Sequence, residues 1–347
     1  MKGVYIVDIE YSPLWRAAQY HCESNSLVLI AATSFSSPFE LVKALSEHNP
    51  DYLIISWREA FDAVLWGRRC RKVLIESNPL IFLLIPDHLG LDLYKEREVL
   101  RCEVADVILT TSIRLKQSYM DLNASFQIEV LHDMPDINLL NSMKFKNIIR
   151  RENQLIWVGN SQWGKRQGLY DHKGLHRFVK DIFANVKAEE SNASLVVIDS
   201  ALSALKHEYV LDNLAQSSCL IVTSDSEGTC LPILEAAALG TPVVTFDVGI
   251  AHEIFAGELK NQFIAPRNTS KASELVLKVL SDFNKASNDS KFAWEQYFKK
   301  ASGDLQQLLL RDFHHSGMWR IREGNRVSNL KWYLRWLKRK ILKLRKE

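Results

Sequence analysis

The sequence predicts an α/β protein of two doubly wound, Rossmann-like domains that face a central cleft. Its 347 residues are too many for one ordinary domain and suit two domains of roughly 150 residues each. Short, apolar, β-branched segments alternate with helical patterns, which is typical of βαβ units and a mostly parallel sheet. This alternation occurs twice along the chain, and a polar stretch divides the two series.

The first series defines an amino-terminal domain at residues 1–140. Its predicted strands are residues 3–9, 27–33, 52–57, 80–86, 107–111 and 128–131, with helical patterns at 38–47 and 91–103. Sheets of this kind bind ligands in the crevice outside the carboxyl ends of their strands. We therefore expect the residues of this domain that bind a ligand to follow its strands.

The second series defines a carboxyl-terminal domain at residues 150–300. Its predicted strands are residues 154–159, 194–199, 219–223, 242–247 and 262–264, with helical patterns at 175–186, 231–239 and 273–283. A stretch rich in Lys, Arg and Asn, near residues 137–152, is predicted to be the linker between the domains. Residues 301–347 are expected to form further helices that end in a basic tail.

The tail is the most basic part of the chain. Residues 326–347 hold nine Lys or Arg and one Glu, whereas the whole chain has a net charge of only +3. Leu330, Leu334, Leu337 and Ile341 recur at helical spacing between these cations. The pattern predicts a C-terminal basic amphipathic helix on an anionic membrane surface; a helix packed on the protein body is the alternative. No nucleic-acid partner is expected, because the remaining chain is acidic and lacks a recognition motif.

The sequence also narrows the cellular location and the cofactors. No signal-peptide pattern follows Met1, and no apolar segment approaches the roughly 18 to 20 residues of a membrane-spanning helix. The five cysteines are scattered, as reduced thiols are. We expect a cytoplasmic protein, peripheral on the inner face of the cell membrane.

No G-x-G-x-x-G follows the first strand, which disfavours a dinucleotide-dependent dehydrogenase. No Asp-x-Asp follows a strand, so neither a metal nor another cofactor is expected.

Residues 219–255 contain the strongest candidate site. A buried strand is followed by a polar loop, a helix of small residues that Pro232 opens and Gly240 ends, and a further strand. The amino end of this helix therefore lies at the carboxyl end of a strand. Its free N–H groups and the positive end of its dipole suit a diphosphate.

Two carboxylates flank that helix start. Glu227 lies in the loop before the helix and Glu235 lies one turn inside it, leaning back toward its start. Both can line one pocket, where carboxylates accept hydrogen bonds from sugar hydroxyls. The alternative is that Glu227 caps the helix and Glu235 is a solvated helix residue.

In this segment the chain resembles the family 4 retaining glycosyltransferases, whose fold is called GT-B. The family frame is S-x-x-E-G-x-x-L-P-x-L-E-A-x-A-x-G-x-P-V-V. The matching residues here are Ser224, Glu227, Gly228, Leu231, Pro232, Leu234, Glu235, Ala236, Ala238, Gly240, Pro242, Val243 and Val244. The loop 247–254 is similar to the family's D-x-G-G-x-x-E-I, with Ile250 in place of the second Gly. The likeness is close over residues 154–283 and holds only in outline before them.

The resemblance implies a binding site for a nucleotide-diphosphate sugar. The donor-binding residues that it implies are Ser224, Gly228, Thr229, Leu231, Glu235 and Gly249. Glu227 would contact the donor sugar as a catalytic residue, and Glu235 would bind the ribose hydroxyls. Backbone at residues 228–231 would meet the diphosphate, and the loop 249–251 would lie near the sugar.

Cations for the diphosphate are expected in the loop after residue 159. The family often has G-R and later K-G at this place; Lys173 occupies the Lys position, whereas Asn160 stands where Arg is expected. Lys165 or Arg166 could supply the second cation, because the leaving diphosphate gains negative charge. The alternative is that these three cations belong to a solvated loop.

The first domain offers two further candidates. The family often places a His after its fourth strand, and here the strand 80–86 is followed by Asp87 and His88. His88 could hydrogen-bond the sugar or steer the acceptor, and Asp87 could act as the base for the acceptor hydroxyl. Either could instead be an ordinary loop residue. The glycines that family members usually carry after the first strand are absent.

The sequence as a whole predicts a metal-independent, retaining glycosyltransferase of the hexosyltransferase type. It would move a sugar from a nucleotide-diphosphate sugar to a glycan or lipid-linked acceptor, in cell-envelope polysaccharide synthesis. Two alternatives stay open. One is a sugar-nucleotide epimerase of the same fold, against which the spacing of Glu227 and Glu235 argues. The other is a non-catalytic binding or scaffold protein, which Asn160 and the missing glycines favour.

Overall fold

The chain divides into two compact units, each with its own sheet. In a computed structural model, the described residues are 2–56, 58–66, 74, 78–143, 146, 148–203, 205–311 and 313. Unit 1 contains the described residues up to Met134 and from Asp304 onward, and unit 2 contains those of Pro135–Gly303. Unit 1 is thus made of two separate chain segments.

Unit 1 is built on a six-stranded parallel sheet. Its strands are β1 (Gly3–Val7), β2 (Val28–Ala31), β3 (Tyr52–Ile55), β4 (Leu80–Ile85), β5 (Val107–Thr110) and β6 (Ile128–Val130). Their order across the sheet is β2-β1-β3-β4-β5-β6. The chain turns from one side of β1 to the other after β2, so the topological switch point of this sheet lies between β1 and β3.

Unit 2 is built on a five-stranded parallel sheet. Its strands are β7 (Gln154–Gly159), β8 (Ser194–Asp199), β9 (Cys219–Val222), β10 (Val243–Phe246) and β11 (Ile264–Ala265). Their order is β11-β10-β9-β7-β8. Every residue of β9 and β10 is buried, as in parallel strands covered on both faces. The switch point of this sheet lies between β7 and β9.

Helices connect the strands in both units. In chain order they are α1 (Pro13–Asn25), α2 (Pro38–His48), α3 (Arg58–Trp66), α4 (Leu89–Val104), α5 (Ile113–Met120), α6 (Ile137–Met143), α7 (Lys180–Glu189), α8 (His207–Gln216), α9 (Leu231–Leu239), α10 (Ala251–Ile254), α11 (Lys260–Phe263), α12 (Thr269–Ser281), α13 (Phe283–Ala301) and α14 (Asp304–Leu309). Ser12, Ser37 and Ser112 precede α1, α2 and α5, and each side chain accepts a hydrogen bond from the N–H three residues later. These caps satisfy N–H groups that a helix start leaves unbonded.

The core of unit 1 lies on both faces of its sheet. Along β1, Val4 and Ile6 pack with residues of α2 and α3, whereas Tyr5 and Val7 pack with residues of α1 and α14. Successive side chains of a strand point to opposite faces, so one apolar strand serves both cores. The short helix α14 therefore belongs to the core of unit 1.

Two local predictions are wrong. The strand predicted at residues 262–264 begins only at Ile264, because the preceding residues close α11. The stretch 137–152 is not simply a linker: it contains α6, and Arg150 donates hydrogen bonds to the carbonyl oxygens of Ser217 and Leu239. The polar composition of this stretch concealed the apolar residues of α6.

The basic tail at residues 326–347 lies outside the described residues, so its membrane-surface role stays a prediction. Among the helices that the structure describes, none is both long and apolar enough to cross a membrane.

Candidate functional site

The loops after β7, β9 and β10 leave the sheet of unit 2 at one edge, beside its switch point. Parallel strands end at the same edge, which is where doubly wound sheets bind ligands. These loops contain the residues from Asn160 to Lys173, the residues 223–230 and the residues 247–250. The residues predicted for the donor therefore share one edge of unit 2.

Lys173 and Glu227 meet at this edge. Lys173 Nζ donates a hydrogen bond to Glu227 Oε1 at 2.5 Å, and Ser224 Oγ donates to the same oxygen at 2.6 Å. The side chains of Lys173 and Glu227 are 17% and 12% exposed. A cation and a carboxylate are therefore paired where solvent, or a ligand, still reaches both.

The backbone beside Lys173 is held close to the end of β9. Gly174 has φ of +72°, and a Cβ atom there would lie 2.4 Å from the carbonyl oxygen of Thr223. Glycine is required both for this φ and for this approach. Lys173 Nζ also lies 5.1 Å from the centre of the Trp163 ring, a cation–π arrangement that limits where the ammonium group can move.

The loop that contains Glu227 is anchored through Asp225. Arg177 donates to Asp225 Oδ2 at 2.5 Å, and Arg267 donates to Asp225 Oδ1 and to the carbonyl oxygen of Ser224. The N–H of Asp225 donates to the carbonyl oxygen of His172 at 2.8 Å. Asp225 thus joins the loop of Lys173, the loop of Glu227 and Arg267, the second residue after β11.

His172 lies inside this arrangement. Its ring centre is 4.5 Å from that of Trp163, and its Nε2 atom is 3.0 Å from the carbonyl oxygen of Ser226. Burial lowers the pKa of His172, because a charged imidazole loses hydration there. His172 is therefore a neutral packing residue of the loop at neutral pH.

The loop after β10 closes on the loop after β9. Gly249 has φ of +53°, and a Cβ atom there would lie 2.6 Å from the carbonyl oxygen of Thr229 and 3.1 Å from Glu227 Cβ. Gly228 and Thr229 are buried. A side chain at position 249 would displace the backbone beside Glu227, which explains a glycine in this loop.

The amino end of α9 follows these loops. Cys230 precedes the helix with φ of +70°, an unusual conformation for a residue with a side chain. Leu231 and Pro232 are the first two helical residues, so the N–H that Pro lacks is one that the helix would leave unbonded. The helix start and Lys173 supply positive charge at the same edge.

Glu235 is more buried than its predicted role suggests. Its side chain is 3% exposed, and its Oε1 atom lies 2.9 Å from Nε2 of His207, the first residue of α8. The carboxylate therefore faces inward from the first turns of α9 and is not a solvated helix residue.

The predicted second cation is not brought into this cluster. Lys165 and Arg166 are exposed residues of a 3₁₀ turn. Asn160 Oδ1 accepts a hydrogen bond from the N–H of Gln162, which closes the turn before them. Lys173 is the predicted cation that the structure places beside Glu227.

In unit 1, Asp87 and His88 follow β4 as predicted but have neighbours of their own. Asp87 Oδ1 accepts hydrogen bonds from Arg58 and from the N–H of Leu89, both at 2.9 Å. Burial lowers the pKa of His88, against the opposing charges of Asp92 and Asp87. The hydrogen bonds that Asp87 accepts from Arg58 and from the N–H of Leu89 hold the start of α4 in place.

Arg58 leads from Asp87 into a buried network of charges that the sequence did not reveal. It donates to Glu98, Arg101 donates to both Glu98 and Asp62, and Tyr119 donates to Glu98. The side chains of Glu98, Asp62 and Arg101 are between 0% and 6% exposed. Burial would raise the pKa of Glu98, but the charges of Arg58 and Arg101 outweigh burial and lower it.

Several residues at the edge of unit 2 were missed by sequence reasoning. They are Trp163, Arg177, His207, Asp225 and Arg267. Asp225 had a weak signal, because it stands inside the motif loop between Ser224 and Glu227. Trp163 and Arg177 lie near Lys173 along the chain but belong to no motif. His207 and Arg267 come from distant segments, and no spacing along the chain indicates their contacts.

Within the residues that the structure describes, no three His, Cys, Asp or Glu side chains are grouped closely enough to hold a metal ion. The expectation of a metal-independent site therefore stays a prediction about the reaction.

Comparison with known proteins bears on the fold and on unit 2. Residues 200–295 match the family model described as Glycosyl transferases group 1, roughly a quarter of the chain. No curated protein matches the chain in sequence. The matched segment includes Glu227, Glu235 and Gly249, and Lys173 precedes it.

Solved structures share the fold over most of the chain. HepE from Anabaena, solved in complex with UDP-glucose, is 13% identical with a TM-score of 0.63, over 89% of this chain and 99% of that one. Sucrose-phosphate synthase from Thermosynechococcus elongatus is 12% identical with a TM-score of 0.57, over 89% and 98%. The predicted fold class, two parallel α/β sheets of the GT-B type, is confirmed. The fold and the family match together support a glycosyltransferase that uses a nucleotide sugar.

Proposed function

We propose that this protein is a retaining glycosyltransferase that moves a sugar from a nucleoside-diphosphate sugar to a glycan or lipid-linked acceptor. The observation that carries the proposal is the pairing of Lys173 with Glu227 beside the start of α9. A donor needs positive charge for its diphosphate and hydrogen-bond acceptors for its sugar hydroxyls. This edge of unit 2 offers both within one cluster, and the UDP-glucose complex of HepE is a precedent in a protein of the same fold.

In the proposed reaction, the bond between the sugar C1 atom and the diphosphate oxygen breaks. The acceptor oxygen bonds to C1 on the same face, and the acceptor proton passes to the departing diphosphate. Lys173 and the N–H groups at the start of α9 stabilise the charge that develops on the leaving group. Glu227 accepts a hydrogen bond from the donor sugar and orients it, and Glu235 binds the ribose hydroxyls. This set needs no metal ion.

The proposal extends to the tail and the acceptor. Residues 326–347 hold nine Lys or Arg, and each can contribute about 1 kcal/mol at an anionic surface. A tail bound to the inner face of the cell membrane suits a lipid-linked acceptor of the cell envelope. Flotation of the full chain with vesicles of anionic and of neutral lipid tests this part; equal recovery with both would contradict it.

The experiment for the donor site is a thermal-shift screen of the full chain against UDP, GDP and ADP and their common hexose conjugates. A ligand at 100 times its dissociation constant stabilises by about 2.7 kcal/mol. We expect a shift for one nucleotide, its loss in Lys173→Ala, and its retention in Lys299→Ala, which removes an exposed lysine of α13.

Turnover separates this proposal from the non-catalytic alternative. The protein is incubated with the sugar conjugate that it binds and with an extract of envelope glycolipids as the acceptor. If the protein is an enzyme, it should release the nucleoside diphosphate. Nucleotide binding without any release would favour the scaffold reading, and absence of binding would contradict the proposal itself.

A further inference from the structure

His207 and the buried Glu235 lie side by side, and one ring nitrogen of His207 is buried without a hydrogen-bond partner among the described residues. Their closest atoms, Nε2 and Oε1, are 2.9 Å apart. Even so, the buried Nε2 atom of His207 has no hydrogen-bond partner in the described part of the chain, so the close approach to Glu235 is an ion-pair contact and not a hydrogen bond. A buried polar group without a partner is costly, and a ligand group beside the pair that bonds to Nε2 would remove that cost.

The pair lies at the edge of unit 2 where its ligand is expected. α8 follows β8 and begins with His207, α9 follows β9, and the two helices pack against each other. In a parallel sheet, both helix starts lie on the side of the carboxyl ends of the strands. β7 separates β8 from β9, so a ligand that reaches both helix starts crosses the end of β7, at the switch point.

We propose that His207 is a nucleoside-binding residue that acts with Glu235 on the ribose diol of the donor. A hydroxyl can donate and accept at once. One ribose hydroxyl can therefore accept from the Nε2–H of His207 while it or its neighbour donates to the carboxylate of Glu235. The inference rests on the proposed function and adds to it the residue that makes the site specific for ribose.

A vicinal diol suits this pair better than the other parts of a nucleotide do. The diphosphate would be repelled by the carboxylate of Glu235, and it has Lys173 and the start of α9 as partners. The nucleotide base could contact His207. Unless that base presented an N–H group to Glu235, it would donate no hydrogen bond to the buried carboxylate. A site that is built to bond a hydroxyl discriminates strongly against an analogue that lacks it.

The experiment measures binding of ribonucleotides and deoxyribonucleotides to the full chain by calorimetry. UDP, GDP and ADP are titrated first, and the nucleotide that binds is then compared with its 2′-deoxy and 3′-deoxy forms. We expect the loss of one hydroxyl to weaken binding to the unchanged protein about 10- to 100-fold. In His207→Ala the ribonucleotide should weaken, and its advantage over the deoxy form should fall to about twofold or less.

Two further variants serve as controls, one conservative variant at the site and one histidine variant far from it in the sequence. His207→Gln keeps an N–H donor and should retain part of the preference for ribose. His48→Ala removes an exposed histidine of α2 in unit 1 and should leave both affinities unchanged.

The outcomes separate this inference from the proposal beneath it. If His207→Ala binds both forms with the ratio of the unchanged protein, His207 does not contact the diol and the inference is overturned. An equal loss for both forms overturns it too, since that result places His207 against the base or in a packing role. If none of the three nucleoside diphosphates binds the unchanged protein, the proposed function fails first.

Discussion

Both units place charged side chains after the strands of a parallel sheet, but the two clusters differ in how completely they bond within the protein. In unit 1, Arg58, Glu98, Arg101 and Asp62 bond to one another in the interior. In unit 2, the pair of Lys173 and Glu227 stays partly exposed, and the Nε2 atom of His207 has no hydrogen-bond partner among the residues that the structure describes. A closed network stabilises the fold, whereas an incomplete one is available to a ligand.

The closed network should show the largest effect on stability. Arg101→Met leaves the carboxylates of Asp62 and Glu98 buried with fewer partners, and removal of one member of a buried ion pair costs about 3 to 5 kcal/mol. Urea unfolding followed by hydrogen exchange of the β3 and β4 amides measures the loss in unit 1. Lys271→Met removes an exposed partner of Glu274 and should change nothing measurable. Equal effects of the two variants would contradict the comparison.

A substitution in the pair of Lys173 and Glu227 should lower activity and leave stability nearly unchanged. Glu227→Gln keeps the size of the side chain but removes the charge that faces Lys173. We expect kcat/KM for the nucleotide sugar to fall about 100- to 1000-fold, the loss seen when one group that stabilises a transition state is removed. The free energy of unfolding should change little, because both partners already contact solvent. A large fall in stability with unchanged kinetics would make the pair structural.

Acid should weaken unit 1 through His21. Burial lowers its pKa from 6.5 to about 4, so the folded state favours the neutral ring. The contribution of His21 to the free energy of unfolding is therefore fully present above about pH 6.5. It is lost as the pH falls from about 6.5 to about 4, and the loss is about 3 kcal/mol. Thermal unfolding at pH 7 and at pH 4 tests this. His21→Gln should be less stable at pH 7 and less sensitive to acid, and an unchanged acid sensitivity would assign it to other groups.

The smallest expected effect concerns the anchoring of the Glu227 loop. Asp225→Asn weakens the bonds from Arg177 and Arg267 without removing a group that faces the donor, so kcat/KM should fall roughly tenfold, or about 1 to 2 kcal/mol. Arg267→Gln should have a similar effect. Because the two residues form one contact, the double variant should lose less than the sum of the single losses. Full additivity would mean that they act separately.

Sequence patterns predicted most strands of the fold because a parallel strand that is buried on both faces is a short apolar run in the sequence. β9 and β10 are short apolar runs that polar loops delimit, and each can be recognised without knowing its neighbours. α6 was missed because its two consecutive leucines stand among polar residues. Strand order, in contrast, depends on contacts between distant segments, which periodicity along the chain does not encode.

The site was predictable to the extent that its residues are close in sequence or belong to one motif. The loop of Glu227 and the position of Lys173 came from such a motif. The bond from Arg267 to Asp225 joins residues 42 positions apart, and the bond from Arg101 to Asp62 spans 39. Both depend on which strands are neighbours. The inward direction of Glu235 likewise depends on how α8 packs beside α9.

The contact between His132 and Asp304 has a consequence for protein engineering. His132 lies two residues before the end of the first chain segment of unit 1, and Asp304 begins the second segment. Their side chains lie 2.5 Å apart at Nδ1 and Oδ2. Unit 2 is thus an inserted domain, and the two ends of its host meet. A short loop in place of residues 135–303 can close the host, and the excised piece can be exchanged as one continuous cassette. Exchange of this cassette would show whether unit 2 alone decides which nucleotide the protein binds.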